Sequence, residues 1–446
     1  MMSVQQVARR TRFRWVILGV ICLMYLVTYL DRTNISVAAP SISKEIGFSK
    51  VQMGVIFSAF VWAYAIGQVP GGWLGDRFGP RRVLTSIVTW WSIFTIATAQ
   101  AATYAAFIVI RFLFGLGEAG AFPTATRAMQ LWFRKQERGF VQGFTHSCSR
   151  FGAAIVPPIA APIILHYGWR AVFYSFGVLG ILWAVLFFCV YRNIPEEHRW
   201  VNQAELAYIR GVDEQGNIIP PVDTKKKPQV PWRKLLSSGN MWFVMMAYFC
   251  YNYAFYFYAT WLPTYLQEYR HFTLLKVGLF ASIPLLAGVI GDTLGGVITD
   301  RLYRRTRNAR FARKVVAVPA LAVSAVALIP AAVTANPYVA VACLAVSLFF
   351  LEGMIGPQWC VPMDVGGEYS GTVSGMMNMG GNLAGVVSPI IFGALVQGGS
   401  WTAPFYVEAV VLIIGACIWL FLLDPERSVI GSRPPASDAA TAAGTV

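Results

Sequence analysis

Twelve apolar stretches, each about 20 residues or longer, follow one another along this chain with short polar gaps between them. A segment of that length and character matches the hydrocarbon core of a bilayer. There, only helices and closed barrels satisfy every backbone N–H and C=O without water. The stretches, at approximately 14–38, 51–73, 81–101, 103–125, 139–164, 168–191, 238–266, 275–299, 314–334, 338–362, 371–397 and 401–424, predict an all-α membrane protein of twelve transmembrane helices. Composition agrees, with 56% hydrophobic and 13% charged residues and a mean hydropathy of +0.55.

The net charge of +15 is distributed as an orientation signal rather than as a nucleic-acid surface. Bases gather in alternate loops: Arg77, Arg81 and Arg82; Arg134, Lys135 and Arg138; Lys225, Lys226, Lys227, Arg233 and Lys234; then Arg301 through Lys314. The opposite loops hold only scattered ones, Lys44, Lys50, Arg170, Arg270 and Lys276. By the positive-inside rule both termini and the long central loop are cytoplasmic. Arg9, Arg10, Arg12 and Arg14 ahead of an apolar run imitate a signal peptide, but Asp31 and Arg32 interrupt the run where cleavage would fall. The seven cysteines lie inside apolar segments without CxxC spacing, which reads as small buried hydrophobes rather than disulfides or metal ligands.

These features divide the chain into an N-terminal six-helix bundle at 1–191, a polar linker at 192–237, a C-terminal six-helix bundle at 238–424 and a tail at 425–446. The run Lys225 to Lys227 reads as a surface for anionic lipid headgroups. The small, polar tail reads as disordered.

The two bundles repeat one another. Gly72-Trp-Leu-Gly-Asp76-Arg77 is echoed by Gly296-Val-Ile-Thr-Asp300-Arg301, 224 residues later. Trp169-Arg-Ala-Val-Phe-Tyr174 is echoed by Trp401-Thr-Ala-Pro-Phe-Tyr406, and Pro157 by Pro389, each 232 residues on. Paired repeats with a solute site near the midplane are a common plan of secondary transporters.

Charge inside the spans marks where such a site would lie. Asp31 and Arg32 sit in LVTYLDRTNISVA, and Arg111 and Glu118 in FIVIRFLFGLGEAGAF. A charged side chain at membrane depth costs a few kcal/mol or more and marks a substrate or proton path. Arg111 and Glu118 are two turns apart on one helix face. Arginine stays charged and grips a carboxylate with two parallel hydrogen bonds, whereas Asp and Glu can be neutralised. Arg150, in THSCSRFGAAIVPP, adds a third intramembrane base, with His146 one turn before it. In the second half Asp292, Glu352, Asp364 and Glu408 read as mainly structural. The polar faces there are Asn252, Tyr253 and Tyr256, then Gln358 and Trp359, then the i,i+4 neighbours Asn378 and Asn382. Amides and rings of that kind suit a hydroxylated or ring-bearing anion.

The run GGWLGDRFGPRR, with its weaker echo GGVITDR, resembles the signature loop of the major facilitator superfamily. Within it, YLDRTNIS and RFLFGLGEAGAFP resemble the anion:cation symporter family, which includes carriers of sugar acids such as galactonate and glucarate, tartrate and phthalate permeases, and sialin with the vesicular glutamate carriers. The resemblance covers nearly the whole chain and implies the major facilitator fold. It implies that Asp31 and Glu118 are the protonatable pair, that Arg32 and Arg111 serve the anion and charge balance, and that Tyr29 and Tyr64 face substrate. Arg150 departs from the sugar-acid carriers, which tend to show glutamine nearby. In the signature loop, Gly72 and Gly75 would let the second and eleventh helices approach. Asp76 with Arg77, and Asp300 with Arg301, would form conformational latches.

Enzyme chemistry finds no foothold: the chain has no GxSxG elbow, Walker loop or HExxH, and GLGEAG follows no strand. The reading is a monomeric transporter of the bacterial inner membrane that imports an organic carboxylate, such as a sugar acid, tartrate or aromatic acid, with protons by alternating access. It needs no cofactor beyond the coupling proton, and its partners are the small organic anion, H+ and the lipid bilayer. An anion exchanger, a proton-coupled exporter of cationic drugs and a receptor that binds its solute without moving it are the alternatives. Arginines in the cavity oppose the exporter, and short cytoplasmic segments oppose the receptor.

Overall fold

The computed structural model describes residues 10–134, 137–211, 231–366 and 370–429, apart from the side chains at 69, 76, 138–140, 142, 363, 370 and 371. Lys135, the run Lys225 to Lys227 and the tail beyond 429 lie outside the described residues, as do the side chains of Asp76 and Arg138. Twelve long helical segments appear: α1 (Phe13–Ile46), α2 (Lys50–Phe78), α3 (Pro80–Gln100), α4 (Tyr104–Trp132), α5 (Arg138–Tyr167), α6 (Trp169–Val190), α7 (Gly239–Thr260), α8 (Leu274–Thr306), α9 (Ala309–Val333), α10 (Pro337–Gly366), α11 (Ser370–Gln397) and α12 (Ala403–Leu422). Eleven of them are long and apolar enough to cross a membrane, and the chain is a multi-pass membrane protein. The remaining one, α7, carries Asn252 and five tyrosines that lower its hydropathy.

Local sequence explains the ends. Ser49 and Gln52 close a capping box on α2. Thr103, Asn308 and Asn336 each accept a backbone N–H at the start of α4, α9 and α10. Gly47, at φ +86°, ends α1 in the left-handed region. Hydropathy placed the end of α1 near residue 38, but the helix runs to Ile46. Hydropathy reports where a helix leaves the hydrocarbon, not where it stops. Two helices are interrupted at matching places, α4 at Ala119 and Gly120 directly after Glu118, and α10 at Met354, two residues after Glu352.

Contacts group the chain into two compact units. The first holds α1 to α6 with residues 257–286 and 389–400. In it α1 packs on α5, α3 on α6 and α2 on α4. Glycine makes the last pairing possible: a Cβ on Gly71 would collide with Gly120, on Gly75 with Thr124, and on Gly115 with the Phe60 carbonyl. Gly72 likewise faces Pro123. The signature-loop glycines therefore bring α2 against the second segment of α4, not against α11 as expected, because they lie on the stripe of α2 that faces Gly120 and Thr124. The contact with residues 389–400 belongs to Gly54, which abuts the Pro389 carbonyl. Close by, Lys50 pairs with Glu268 and Trp261 donates to the Pro389 carbonyl at 3.1 Å.

The second unit holds the described residues of 231–256, 287–388 and 401–429. Here α9 packs on α10 and α12. A Cβ on Gly291 would collide with the Phe349 carbonyl and on Gly295 with the Gly353 carbonyl, so α8 meets α10 as α2 meets α4. Small residues of this kind let backbones touch where lipid offers no hydrophobic drive. Cysteines do not follow one rule: Cys22 and Cys250 are buried, whereas Cys189 and Cys417 are exposed on apolar helix surfaces.

The start of the linker is folded onto the beginning of α1. Arg12 provides no side-chain cap for that helix. Glu205, fully buried on the short helix Gln203–Arg210, supplies it, accepting from Thr11 Oγ1 at 2.7 Å, the Phe13 N–H at 3.0 Å and the Arg14 N–H at 3.2 Å. His198 stacks on Phe13 at 4.1 Å. Its Nδ1 accepts from the Trp200 N–H at 3.2 Å, so Nε2 carries the proton donated to the Val190 carbonyl at 3.0 Å.

Burial, with help from Arg192 and Arg199, lowers the His198 pKa below its usual value. A base whose folded pKa is depressed contributes stability that is whole above its unfolded pKa and falls away below it. Docking of the 192–211 segment therefore weakens as pH drops below about 6.5. Limited proteolysis of this segment should accelerate at pH 5.5 relative to 7.5, and His198→Phe, which keeps the stack, should remove the difference.

Substituting Gly71 with valine should destabilise the α2–α4 pair by about 1–3 kcal/mol. A melting curve in detergent would read it as a lowered midpoint.

Candidate functional site

The charged residues of α1 point in different directions because adjacent residues on a helix lie about 100° apart. Asp31, 1% exposed, turns toward α3, where Trp91 Nε1 donates to its Oδ2 at 3.1 Å. Arg32 turns toward α2 and α4. Its Nε donates to Glu118 Oε1 at 2.9 Å and its Nη2 reaches the same oxygen. Glu118 is fully buried. Rings enclose the Arg32 guanidinium, with the centroids of Tyr64 at 4.8 Å, Tyr29 at 4.9 Å and Phe60 at 5.1 Å. Such contacts stabilise a cation most where water is excluded.

Arg111 completes the cluster. It is 3% exposed and stands over Phe114 at 4.6 Å and Phe60 at 5.2 Å. Glu118, Arg32 and Asp31 all act on it electrostatically. Among the described residues, however, it forms no ion pair and no side-chain hydrogen bond. The sequence leaves open whether Arg111 or Arg32 is the partner of Glu118; the structure joins Arg32 to Glu118 across two helices. That crossing leaves Arg111 as a guanidinium held by rings, with its fork available for an anion.

Tyr29 and Tyr64 stand as walls around Arg32. Phe60, Phe122 and Trp91 belong to the same cluster and were missed. Trp91 had left a clue: a tryptophan at mid-span rather than at an interface needs a partner for its N–H. Arg150 is half-buried on α5 and acts electrostatically on His146, which stacks on Phe122 and meets Tyr25 edge-on.

In the second unit, Asn382 Oδ1 accepts from Tyr256 Oη at 3.3 Å, and Trp359 meets the Tyr248 ring at 6.0 Å. Asn378 is half-buried on α11. A Cβ on Gly381 or Gly385 of α11 would run into Tyr248 or Tyr256, so this polar face is assembled by close approach of α7 and α11. The latch residues are less alike than their sequence echo. Arg77 lies over Trp73 and Phe78, and Arg301 is exposed. Asp300 approaches Arg313 Nη1 at 3.6 Å, and Arg313 is 5% exposed and also donates to Asp364 Oδ2 at 3.3 Å and Thr299 Oγ1 at 3.2 Å. The base that receives Asp300 thus belongs to α9, a residue the sequence did not single out. Glu352 and Glu408 are both buried, and neither Glu408 carboxylate oxygen has a hydrogen-bond partner.

A family profile described as Major Facilitator Superfamily matches residues 21–389 and 365–443. The chain is 43% identical over 418 residues to a probable sulfoacetate transporter of Cupriavidus necator, covering 93% of this chain and 95% of that protein. It is 34% identical to a probable galactarate/D-glucarate transporter of Bacillus subtilis, covering 96% of each, and 33% identical to a D-galactonate transporter of Escherichia coli, covering 95% and 98%. Its backbone resembles that of a bacterial homologue of the human lysosomal transporter Spinster, solved in an inward-facing, occupied conformation, with a TM-score of 0.75, 16% identity and 92% and 97% of the two chains covered.

Breaking the buried Arg32–Glu118 pair by Glu118→Gln leaves a charge with no counterion and should cost about 3 kcal/mol, since Arg32 keeps some exposure. The double variant Arg32→Met with Glu118→Gln should recover most of that loss in a detergent melting experiment. Equal melting temperatures for the single variant and wild type would sink the pairing.

Proposed function

Since the chain belongs to the major facilitator superfamily, we propose that it is a proton-coupled symporter that brings a small organic acid anion into the cell by alternating access. The observation behind this reading is Arg111, a buried guanidinium between aromatic rings with no carboxylate of its own. A cationic substrate would meet Arg32 and Arg111 together, which disfavours drug export. The relatives extend the reading to acids of the kinds they are named for, sulfoacetate and the aldarates. Both are dianions, which suits a site with Arg32, Arg111 and Arg150 within one half.

The coupling follows from a shared partner. With the site empty, Glu118 is ionised and holds Arg32. A proton arriving at Glu118 cancels that attraction and releases the Arg32 guanidinium toward an anion already gripped by the fork of Arg111. A sulfonate stays ionised at any working pH, so for such a substrate the proton must ride on the protein, on Glu118 or Asp31. Tyr29 and Tyr64 then contact the substrate, and Trp359, Asn378 and Asn382 supply the second half's contribution. In alternating access the two six-helix halves, 1–191 and 238–424, rock about this centre. Gly72, Asp76, Arg77, Asp300 and Arg301, with Arg313, would act as latches at one end, and Lys50, Glu268 and Gly54 at the other. The protein would work as a monomer in a bacterial inner membrane with both termini cytoplasmic.

Proteoliposomes with an inward proton gradient test the reading. Radiolabelled sulfoacetate or galactarate should accumulate, and dissipating the gradient should stop it. Arg111→Lys keeps the charge but loses the fork, and should lower uptake about 10- to 100-fold, the cost of one or two charge-assisted hydrogen bonds. Glu118→Gln should abolish accumulation while leaving exchange of internal for external acid. Failure of every organic acid to enter, with efflux of cations instead, would replace symport by export.

A further inference from the structure

Beyond the Arg32–Glu118 pair lies a second polar spot, where α1 meets α3 and α6. Asp31 is satisfied at Oδ2 by Trp91, but among the described residues its Oδ1 has no partner. Asn34, one turn further along α1 and fully buried, has a partner for neither its amide nitrogen nor its amide oxygen. Ser92 Oγ, also fully buried, is unpartnered too. Ser92 is unusual for its helix, because Thr85, Thr89, Thr95 and Thr98 each return their hydroxyl to the carbonyl four residues back.

Gly180 of α6 faces this spot: a Cβ there would collide with Ser92 Oγ and would stand 3.6 Å from Asp31 Oδ2. A glycine thus lets the α6 backbone come directly against the serine hydroxyl, beside the carboxylate. Buried polar atoms in native proteins are almost always bonded, to protein or to water. A buried water makes about three hydrogen bonds to groups of this kind. The acid and the hydroxyl beside Gly180, with the amide one turn along α1, are groups of that kind.

We propose that Asp31 Oδ1, Asn34 and Ser92 Oγ form a buried water-binding pocket beneath Gly180, through which the coupling proton reaches Asp31. Asn34 and Ser92 are positioning residues in it. The step is a transfer from hydronium to carboxylate: one O–H bond of the hydronium breaks, one O–H bond to Asp31 forms, and neutral water remains hydrogen-bonded to the serine and the amide. The charged groups acting on Asp31 are Glu118 and Arg111 from α4, with Arg32 beside it in sequence; α3 contributes the neutral donor Trp91. This rests on the reading of Asp31 as a proton carrier and adds the route by which a carboxyl hidden from the substrate side is served.

The test uses Ser92→Ala, which removes one atom, and Asn34→Leu, of similar shape. Each is measured in proteoliposomes as radiolabelled sulfoacetate uptake against pH under a proton gradient, and as exchange at equal pH on both sides. Losing one hydrogen bond to the ionised carboxylate should displace the pH of half-maximal uptake upward by about one unit. It should slow gradient-driven uptake about tenfold, while exchange stays near wild type. Asp31→Asn separates the two levels. If it leaves proton coupling intact, the proton-carrier reading of Asp31 fails. If it abolishes coupling while Ser92→Ala and Asn34→Leu keep the wild-type pH profile, only the pocket fails. Uptake that follows a sodium gradient instead overturns the water pocket, since the same three oxygens would then serve a metal cation.

Discussion

Burying a full charge in a membrane bundle is the constraint around which the first half of this protein is arranged. Arg32 and Glu118 come from helices that must be held in register for the two groups to meet. The register comes from contacts without side chains: Gly71 on Gly120 and Gly115 on the Phe60 carbonyl. The aromatic enclosure of Arg32 by Tyr29, Phe60 and Tyr64 then replaces some of the hydration the guanidinium has lost. Such a pair does little for stability compared with an apolar alternative, so its presence is best understood through what its dissociation permits.

The two acids occupy different settings. Glu118 holds Arg32 among the rings of Tyr29, Phe60 and Tyr64. Asp31 faces α3, held by an indole on one oxygen. Arg111 stands between the two electrostatically, which allows either event to be felt by the other without direct contact between the acids.

Much of the fold was legible because the bilayer simplifies the code: apolar length gives helices. Charge in a span is expensive and therefore rare, which singled out Asp31, Arg32, Arg111 and Glu118, and the structure joins Arg32 to Glu118. What the sequence could not supply was direction. Asp31 and Arg32 are neighbours in the chain and face different helices, so adjacency suggested a pair that does not form. Glycine roles were hidden for the same reason, as Gly72 and Gly75 signalled a close approach but not its partner. Arg313 carries no motif of its own, and only the packing of α9 beside α8 and α10 shows that it binds both Asp300 and Asp364.

The interruption of α4 has a mechanical meaning. The helix loses its continuous hydrogen bonding immediately beyond Glu118, and the next residues press directly on α2 through Gly71 and Gly120. A carboxylate placed at a joint, with no side chains to cushion the joint against its neighbour, cannot shift without shifting that neighbour's backbone. The same neighbour carries Asp76 and Arg77 just before its end at Phe78. A shift of Glu118 is thereby geared to that end of α2 by a train of parts only a few residues long.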